Sequence, residues 1–250
     1  MVNYRKTILC IGMALGVMCA NQPAAQAGDF IEWHSTNVQI LRGHDYQLGA
    51  DNDRTIVTLE HANRWKYGDF YAFLDATWFD DGGDDAYAEF TPRLSLGKVT
   101  GQDLSFWIFK DFYLAAQMEK GERDLRRYMT GVGTDLDLPG FKFFKANFFN
   151  RNNPEREDPT WQVYLAWNYP FEAASRKFVI EGYSDLFGEE GGTTVPHQSF
   201  VPRFLMDVGD IIGQPNGKFF AGIEWQYWHN KFGVDGKTES VPQLQLKWVF

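Results

Sequence analysis

The chain ends in the stretch Pro242-Gln243-Leu244-Gln245-Leu246-Lys247-Trp248-Val249-Phe250, in which apolar and mostly polar side chains alternate. The four side chains of Leu244, Leu246, Trp248 and Phe250 share one face. Alternation with a period of two predicts a β-strand with one apolar side, because successive side chains of a strand point to opposite faces of the sheet. We therefore expect the chain to close on a half-apolar strand whose last residue is aromatic.

The first 27 residues have the composition of an export signal. Arg5 and Lys6 precede an apolar run from Ile8 to Ala20, and Ala25-Gln26-Ala27 is a small-x-small cleavage site. The apolar run is too short to cross a membrane comfortably as a helix. The sequence therefore predicts a signal peptide over residues 1–27 and a single β-domain over residues 28–250.

Both cysteines, Cys10 and Cys19, lie within the predicted signal peptide. Lipid attachment at Cys19 is an alternative, but Met18 stands where a small residue should precede the modified cysteine. The predicted mature chain thus has neither a disulfide nor a thiolate metal ligand.

The chain is acidic, with a formal net charge of −9. The first 27 residues contain two cations and no acids, so the predicted mature part has 22 Lys and Arg against 33 Asp and Glu. No basic surface offsets the repulsion of phosphates, and nucleic acid is not an expected partner. No stretch after residue 27 approaches the ~18 consecutive apolar residues of a membrane helix, so a membrane location would require a barrel.

Alternating segments recur along the chain with turn-forming residues between them. In residues 161–169, for example, the odd-numbered positions carry Trp, Val, Leu, Trp and Tyr, whereas Gln162, Tyr164 and Asn168 face the other way. These segments are about ten residues long, which matches the ~9–11 residues that a tilted strand needs to cross a bilayer. We predict twelve strands, at about residues 31–41, 54–63, 68–79, 86–97, 105–118, 124–136, 142–151, 160–170, 176–187, 198–208, 217–230 and 241–250.

The connections between these segments fall into two sets. The compact set is 63–66, 97–102, 138–140, 172–175 and 213–217. The longer, more polar set is 42–53, 80–85, 119–123, 152–158, 188–196 and 231–239. Short turns at one rim and long loops at the other are typical of outer-membrane barrels, whose even strand number leaves both termini at the periplasmic rim.

Aromatic residues make up 17% of the chain, and many fall near predicted strand ends. They include Trp33, Trp65, Tyr67, Trp78, Trp161, Tyr169, Trp228 and Trp248. A sandwich core also favours aromatics, but Trp and Tyr at both ends of most strands are typical of the belts at two membrane interfaces. The fold class predicted is all-β, a twelve-stranded antiparallel transmembrane β-barrel with a narrow lumen. A soluble exported β-barrel or sandwich that binds sugar or lipid is the alternative.

If the apolar faces contact lipid, the opposite faces line a lumen that mixes aromatic, acidic and basic side chains. These are Thr58, Glu60, Tyr71, Phe73, Asp75, Thr77, Tyr87, Glu89, Thr91, Arg93, Asn147, Gln162, Tyr164, Asn168, Glu181, Tyr183, Asp185, Arg203 and Asp207. Aromatic faces and hydrogen-bonding groups suit a flat, polar, uncharged ring system with hydroxyls. Alternatively, the charges only pair with one another and fill the lumen.

The register of one strand is left open by the sequence, and the remaining motifs point to no catalytic or metal site. Lys110 and Asp111 are adjacent and must face opposite ways unless a bulge intervenes, so the register of the fifth strand is open. The acidic run 80–85 could hold Ca²⁺ but lacks EF-hand spacing. The histidines show no ligand spacing, and no nucleophile elbow, HExxH or phosphate loop is present. We therefore expect no enzymatic activity, no metal and no other cofactor.

Three stretches, in order along residues 31 to 140, resemble the Tsx-type nucleoside-specific channels of the outer membrane and their OmpK branch. The first is Trp33-His34-Ser35-Thr36-Asn37-Val38. The second comprises Glu89-Phe90-Thr91-Pro92-Arg93, Asp103-Leu104-Ser105-Phe106 and Phe109-Lys110-Asp111-Phe112-Tyr113. The third is Tyr128 to Pro139, and Asp69-Phe70-Tyr71 with Asp75-Ala76 adds a weaker match.

The resemblance implies a barrel in the outer membrane of a Gram-negative bacterium, in contact with lipid and lipopolysaccharide, that passes nucleosides passively. It also implies that the long loops serve as a phage-docking surface, and Phe250 is expected to mark the chain for the outer-membrane assembly machinery. The candidate solute-binding residues are Asn37, Tyr71, Phe73, Asp75, Glu89, Arg93, Lys110 and Asp135. A surface receptor or structural barrel without nucleoside selectivity remains the alternative within this fold.

Overall fold

The alternating segments form twelve antiparallel strands that join in chain order into a closed ring. The structure, a computed structural model, describes residues 30–48, 52–122 and 125–250, so the predicted signal peptide lies outside the described residues. The strands are β1 (Ile31–Gly43), β2 (Arg54–Trp65), β3 (Gly68–Phe79), β4 (Asp84–Ser95), β5 (Phe109–Gly121), β6 (Arg126–Leu136), β7 (Phe143–Asn152), β8 (Thr160–Ala173), β9 (Arg176–Phe187), β10 (His197–Asp207), β11 (Phe219–His229) and β12 (Glu239–Val249). The predicted all-β, twelve-stranded barrel is confirmed.

The last strand closes the ring by pairing with the first. β12 is antiparallel to β1, with Leu246 opposite Ile40 and Val249 opposite Asn37. The backbone N–H of Phe250 also donates to the Thr36 carbonyl at 3.0 Å. This pairing removes the two open edges that a twelve-stranded sheet would otherwise have.

The two faces of the sheet are divided as the alternation predicts. On β12, Leu244 is 69% exposed and Leu246 60% exposed, whereas Gln243 and Gln245 are 1% and 2% exposed. Most buried side chains inside the ring are polar or charged. The barrel is therefore apolar outside and polar inside, which is the arrangement of a sheet surrounded by lipid.

Two rims bound the barrel, and we name them by the chain termini. The terminal rim holds the start of β1, the end of β12 and the connections 66–67, 96–108, 137–142, 174–175 and 208–218. The distal rim holds the connections 44–53, 80–83, 122–125, 153–159, 188–196 and 230–238. Outward-facing aromatic rings pack side by side near the terminal rim, as in the pairs Phe141–Tyr169 at 5.1 Å and Phe219–Trp248 at 5.6 Å. These rows correspond to one of the predicted aromatic belts.

The connection between β4 and β5 differs from the predicted compact turn over 97–102. The Ser95 side chain accepts a hydrogen bond from the Lys98 N–H at 2.9 Å and caps a short helix, α1 (Leu96–Thr100). β4 therefore ends at Ser95, and β5 begins only at Phe109. On the distal rim, 80–83 and 122–125 contain only four residues each, so the predicted difference in length between the rims is only partly present. In the described ranges, no helix is long and apolar enough to span a membrane.

Removing Phe250 should impair barrel assembly, because it deletes the hydrogen bond to Thr36 and a ring 4.5 Å from that of Trp248. We expect less of the heat-modifiable folded form on gels, and unchanged conductance of those barrels that do assemble. Ile211→Ala is the matched control, since it removes an exposed apolar side chain at the same rim. Wild-type assembly of the truncated chain would contradict the prediction.

Candidate functional site in the barrel lumen

Near the terminal rim, one arginine joins four strands. Arg93 on β4 donates to Asp69 through Nε at 2.8 Å and through Nη2 at 2.6 Å, and to Asp135 at 2.7 Å. Its guanidinium lies 4.1 Å from the centre of the Tyr113 ring. Lys145 on β7 donates to the same Asp69 at 2.8 Å. We call these five residues the Arg93 cluster.

A second arginine occupies the middle of the opposite wall. Arg203 on β10 donates to Glu224 at 2.6 Å and to Glu60 on β2 at 2.9 Å. Beside it, Lys247 on β12 donates to Glu181 on β9 at 2.5 Å. We call these five residues the Arg203 cluster.

A third arginine lies near the distal rim and holds a loop. Arg151 on β7 donates to Glu119 at 2.6 Å, to Gln162 at 2.7 Å and to Glu190 of the connection 188–196 at 2.7 Å. Burial alone would raise the pKa of Glu190, but a hydrogen bond from Asn153 and the charge of Arg151 outweigh it and lower that pKa. The loop is thus tied to the barrel wall by an ionised carboxylate.

Several of these ion pairs join strands that are not neighbours. Lys145 and Asp69 lie on β7 and β3, and Arg203 and Glu60 lie on β10 and β2. Such contacts reach across the interior rather than along the wall. The lumen of this twelve-stranded barrel is therefore narrowed by its own side chains.

Three aromatic rings form a row on the β3–β4 wall, and we call them the aromatic ladder. Tyr71 and Phe73 lie 6.0 Å apart between ring centres, and Phe73 and Tyr87 lie 5.9 Å apart. Each tyrosine donates to a carboxylate, Tyr71 to Glu60 at 2.9 Å and Tyr87 to Glu89 at 2.7 Å. The ladder thus lies between the Arg93 cluster and the distal rim, with a hydrogen-bond acceptor at each end.

Three lumen acids have neutral partners in the described part of the chain. Asp75 accepts from Thr58 at 2.5 Å. Glu89 accepts from Tyr87 and from Gln117 at 3.0 Å, and Asp185 accepts from Gln162 at 2.7 Å. None of the three is in an ion pair within the described residues, so their oxygens keep acceptor capacity that the arginine-bound acids have lost.

The distal mouth is partly covered by the connection that follows β1. Tyr46 is 2% exposed, donates to Gln243 at 2.5 Å, and stacks under the Arg54 guanidinium at 3.7 Å. Glu239 accepts from the Gln47 N–H at 3.0 Å and forms an ion pair with Lys231. Burial raises the pKa of Tyr46 above its ordinary range and lowers the pKa of Lys231. These residues join the connections 44–53 and 230–238 over one side of the mouth.

Glycine at position 43 makes room for this arrangement. A Cβ added to Gly43 would lie 2.6 Å from the hydroxyl oxygen of Tyr46, which is closer than real Cβ contacts come. The tyrosine can fold over the end of β1 because Gly43 has no side chain.

Seven of the eight residues predicted to bind solute line the lumen. They are Asn37, Tyr71, Phe73, Asp75, Glu89, Arg93 and Asp135. Lys110 does not join them: its side chain is 47% exposed at the terminal rim and lies 2.8 Å from Asp137. A shift of register between Phe109 and Asp111 turns Asp111 inward, where it accepts hydrogen bonds from Ser95 and from the Gly97 N–H. The bulge therefore determines the register of β5: Asp111 faces the lumen and Lys110 does not.

Arg151 and Glu119 are among the charged lumen residues that the predicted lining does not contain. The predicted fifth strand ends at residue 118 and leaves Glu119 in a loop, whereas β5 continues to Gly121. Phe149 lies inside and is 0% exposed, so an apolar residue interrupts the polar pattern of the inward face of β7. Continuing the alternation from Asn147 to Arg151 would have placed this arginine inside.

The acidic run 80–85 shows no ion-binding geometry. Asp80 accepts from Arg42 at 2.7 Å, and this hydrogen bond lowers the pKa of Asp80. Across the described ranges, no group of three or more His, Cys, Asp or Glu residues is arranged to hold a metal ion.

Comparison with known structures shows the fold alone. The KdgM porin superimposes with a TM-score of 0.51, covering 86% of this chain and 99% of that chain at 6% sequence identity. The likeness is one of barrel architecture.

Comparison of sequences shows the family. The family described as nucleoside-specific channel-forming protein, Tsx, matches residues 29–240, well beyond the stretch 31–140 that carries the motifs. The nucleoside-specific channel-forming protein Tsx of Escherichia coli O157:H7 is 26% identical, covering 88% of this chain and 78% of the relative. The outer membrane protein OmpK of Vibrio parahaemolyticus is 23% identical, covering 92% and 87%. The chain therefore belongs to the Tsx family of channel-forming proteins and is a twelve-stranded β-barrel of the outer membrane.

Proposed function

We propose that nucleosides diffuse passively through this barrel and contact the aromatic ladder and its neighbouring acids on the way. The observation that carries the proposal is the ladder itself, three rings at about 6 Å spacing that end at Glu60 and Glu89. The name of the Escherichia coli relative supports the same solute class.

The ladder offers a nucleoside two kinds of contact at once. The flat base stacks on an aromatic face, a contact of about 0.5–1.5 kcal/mol beyond the area buried. The ribose hydroxyls donate to carboxylate oxygens, and Asp75 and Glu89 have capacity to accept because their present partners are neutral. Each contact is weak, so a solute held by one or two of them is also released.

Selectivity follows from the narrowing by side chains. The Arg93 and Arg203 clusters reach inward from different walls, so a solute passes in contact with the lining. Acids outnumber cations in this lining, which disfavours solutes with a phosphate group. The relatives are described as channels, which agrees with the expectation of a protein that is not an enzyme.

Adenosine or thymidine at millimolar concentration should reduce the current through single barrels in planar bilayers, because a bound nucleoside occupies the narrow lumen. The corresponding 5′-monophosphates, matched in base and sugar, should reduce it much less. A current that nucleosides leave unchanged would refute nucleoside passage and favour a receptor or structural barrel of the OmpK kind, with loops that dock phage.

Phe73→Ala and Glu89→Gln should each weaken nucleoside block about 3- to 10-fold, because each removes one contact of about 0.7–1.4 kcal/mol. The measurement is the nucleoside concentration that halves the current. Phe90→Ala is the control: Phe90 neighbours Glu89 on the same strand but is 41% exposed on the outer face. Equal effects of the inner and outer substitutions would count against the ladder.

Tyr46→Ala should raise the single-channel conductance, because it removes a buried ring and its hydrogen bond to Gln243 from the distal mouth. Tyr67→Ala, at an exposed position in the connection 66–67, should leave conductance unchanged. If Tyr46→Ala conducts like the parent protein, the connection 44–53 does not limit the current.

A further inference from the structure

The connection 96–108 ends in a tight hairpin with an aromatic tip. The backbone N–H groups of Phe106 and Phe109 each donate to the other residue's carbonyl at 2.9 Å, so Trp107 and Ile108 form a two-residue turn. Trp107 has φ +50°. Hairpin turns with positive φ at the first central residue normally carry Gly, Asn or Asp there. A tryptophan in this position is unusual and calls for a physical reason.

The rest of the molecule does not supply that reason. Positive φ is unfavourable for a residue with a side chain, because the Cβ comes too close to the following carbonyl oxygen. The Trp107 side chain is 82% exposed and Phe106 is 62% exposed. Among the aromatic rings of the described residues, the Trp107 indole contacts one, the edge of the Phe109 ring, at 6.4 Å between centres. A strained backbone thus presents two large apolar rings outward.

The hairpin is continuous with the lipid-facing wall of the barrel. The Phe106 and Phe109 rings stack at 5.4 Å, and Phe109 and Phe112 stack at 5.7 Å. Phe112 shares the outward face of β5 with Leu114, which is 52% exposed. An unbroken column of rings therefore runs from the membrane-facing sheet to the tip of the hairpin.

Charged side chains lie next to the hairpin in the chain. It extends past the start of β5 at the terminal rim, where Lys110 and Asp137 form an exposed ion pair. The preceding residues include Asp103, whose side chain accepts from the Ser105 N–H at 2.9 Å. Hydrogen bonds donated by Ser105 lower the pKa of Asp103, which favours the charged carboxylate at this end of the segment. The aromatic tip thus neighbours charged residues in the chain, and a boundary between apolar and charged groups is the setting that indole rings prefer in a bilayer.

We propose that the Phe106–Phe109 hairpin is a membrane anchor that places Phe106 and Trp107 in the headgroup region of the leaflet at the terminal rim. The occupant of this surface is lipid, because the ring column is continuous with the wall that already faces lipid. The anchor fixes the depth of the β4–β5 side of the barrel, and it acts outside the lumen and independently of the solute.

A fluorophore at position 108 tests the proposal with Trp107 intact. Both native cysteines precede residue 28, and labelling of the parent protein under the same conditions measures their contribution to the background. Ile108→Cys carries an environment-sensitive label, and the protein is folded into phosphatidylethanolamine–phosphatidylglycerol vesicles with spin labels at shallow or deep lipid positions. We expect strong quenching by the shallow spin label and weak quenching by aqueous iodide.

Two further variants make the test specific. Gln102→Cys labels an exposed polar position of the same connection and should show the reverse, iodide quenching without lipid quenching. Adding Trp107→Gly to Ile108→Cys suits the positive φ, so the hairpin keeps its fold, but it removes the anchoring ring. Shallow lipid quenching at position 108 should then fall at least twofold, and iodide quenching should rise.

Three results would overturn the proposal. One is iodide quenching at position 108 as strong as at position 102. Another is lipid quenching that Trp107→Gly leaves unchanged. The third is self-quenching between labelled copies in place of lipid quenching, which would assign the hairpin to contact between barrels.

Discussion

Hydrocarbon cannot hydrogen-bond to a peptide group, and this constraint determines most of the structure. A sheet in lipid must satisfy every backbone N–H and C=O internally, which only a closed ring achieves. The pairing of β12 with β1 closes that ring, and the last donor, the Phe250 N–H, is satisfied by Thr36. Once the ring is closed, the period of two leaves each strand one face for lipid and one for the lumen. The polar interior is therefore a consequence of closure.

The interior then has to accommodate its charges. A buried ion without a partner is strongly unfavourable, and removing one member of a buried pair typically costs about 3–5 kcal/mol. Arg93, Arg151 and Arg203 each bind at least two carboxylates, so one cation stabilises several acids at once. The same contacts bring side chains across the lumen. The same ion pairs therefore both stabilise the barrel wall and narrow the lumen.

The local pattern of the sequence predicted the barrel well and its charge pairing poorly. Strand number, the half-apolar last strand and the inward direction of Glu89 follow from alternation, which is a property of neighbouring residues. The helix capped by Ser95 and the bulge beside Lys110 depend on single side-chain contacts that break that alternation. Asp69 on β3 forms an ion pair with Lys145 on β7, four strands away along the ring. No pattern among neighbouring residues predicts this pair.

The ion pairs also determine which lumen residues have hydrogen-bonding capacity left for a solute. Arg93 is 2% exposed and donates to Asp69, Asp135 and Asn147, so little of its hydrogen-bonding capacity is left for a passing molecule. Asp75 and Glu89 have neutral partners and lie beside the aromatic ladder. On the proposed path, a solute that stacks on Phe73 meets carboxyl oxygens that can accept a further hydrogen bond, and it meets arginine only as part of the wall. In the proposed mechanism, Arg93 shapes the path, and the acids beside the ladder bind the hydroxyl groups of the solute.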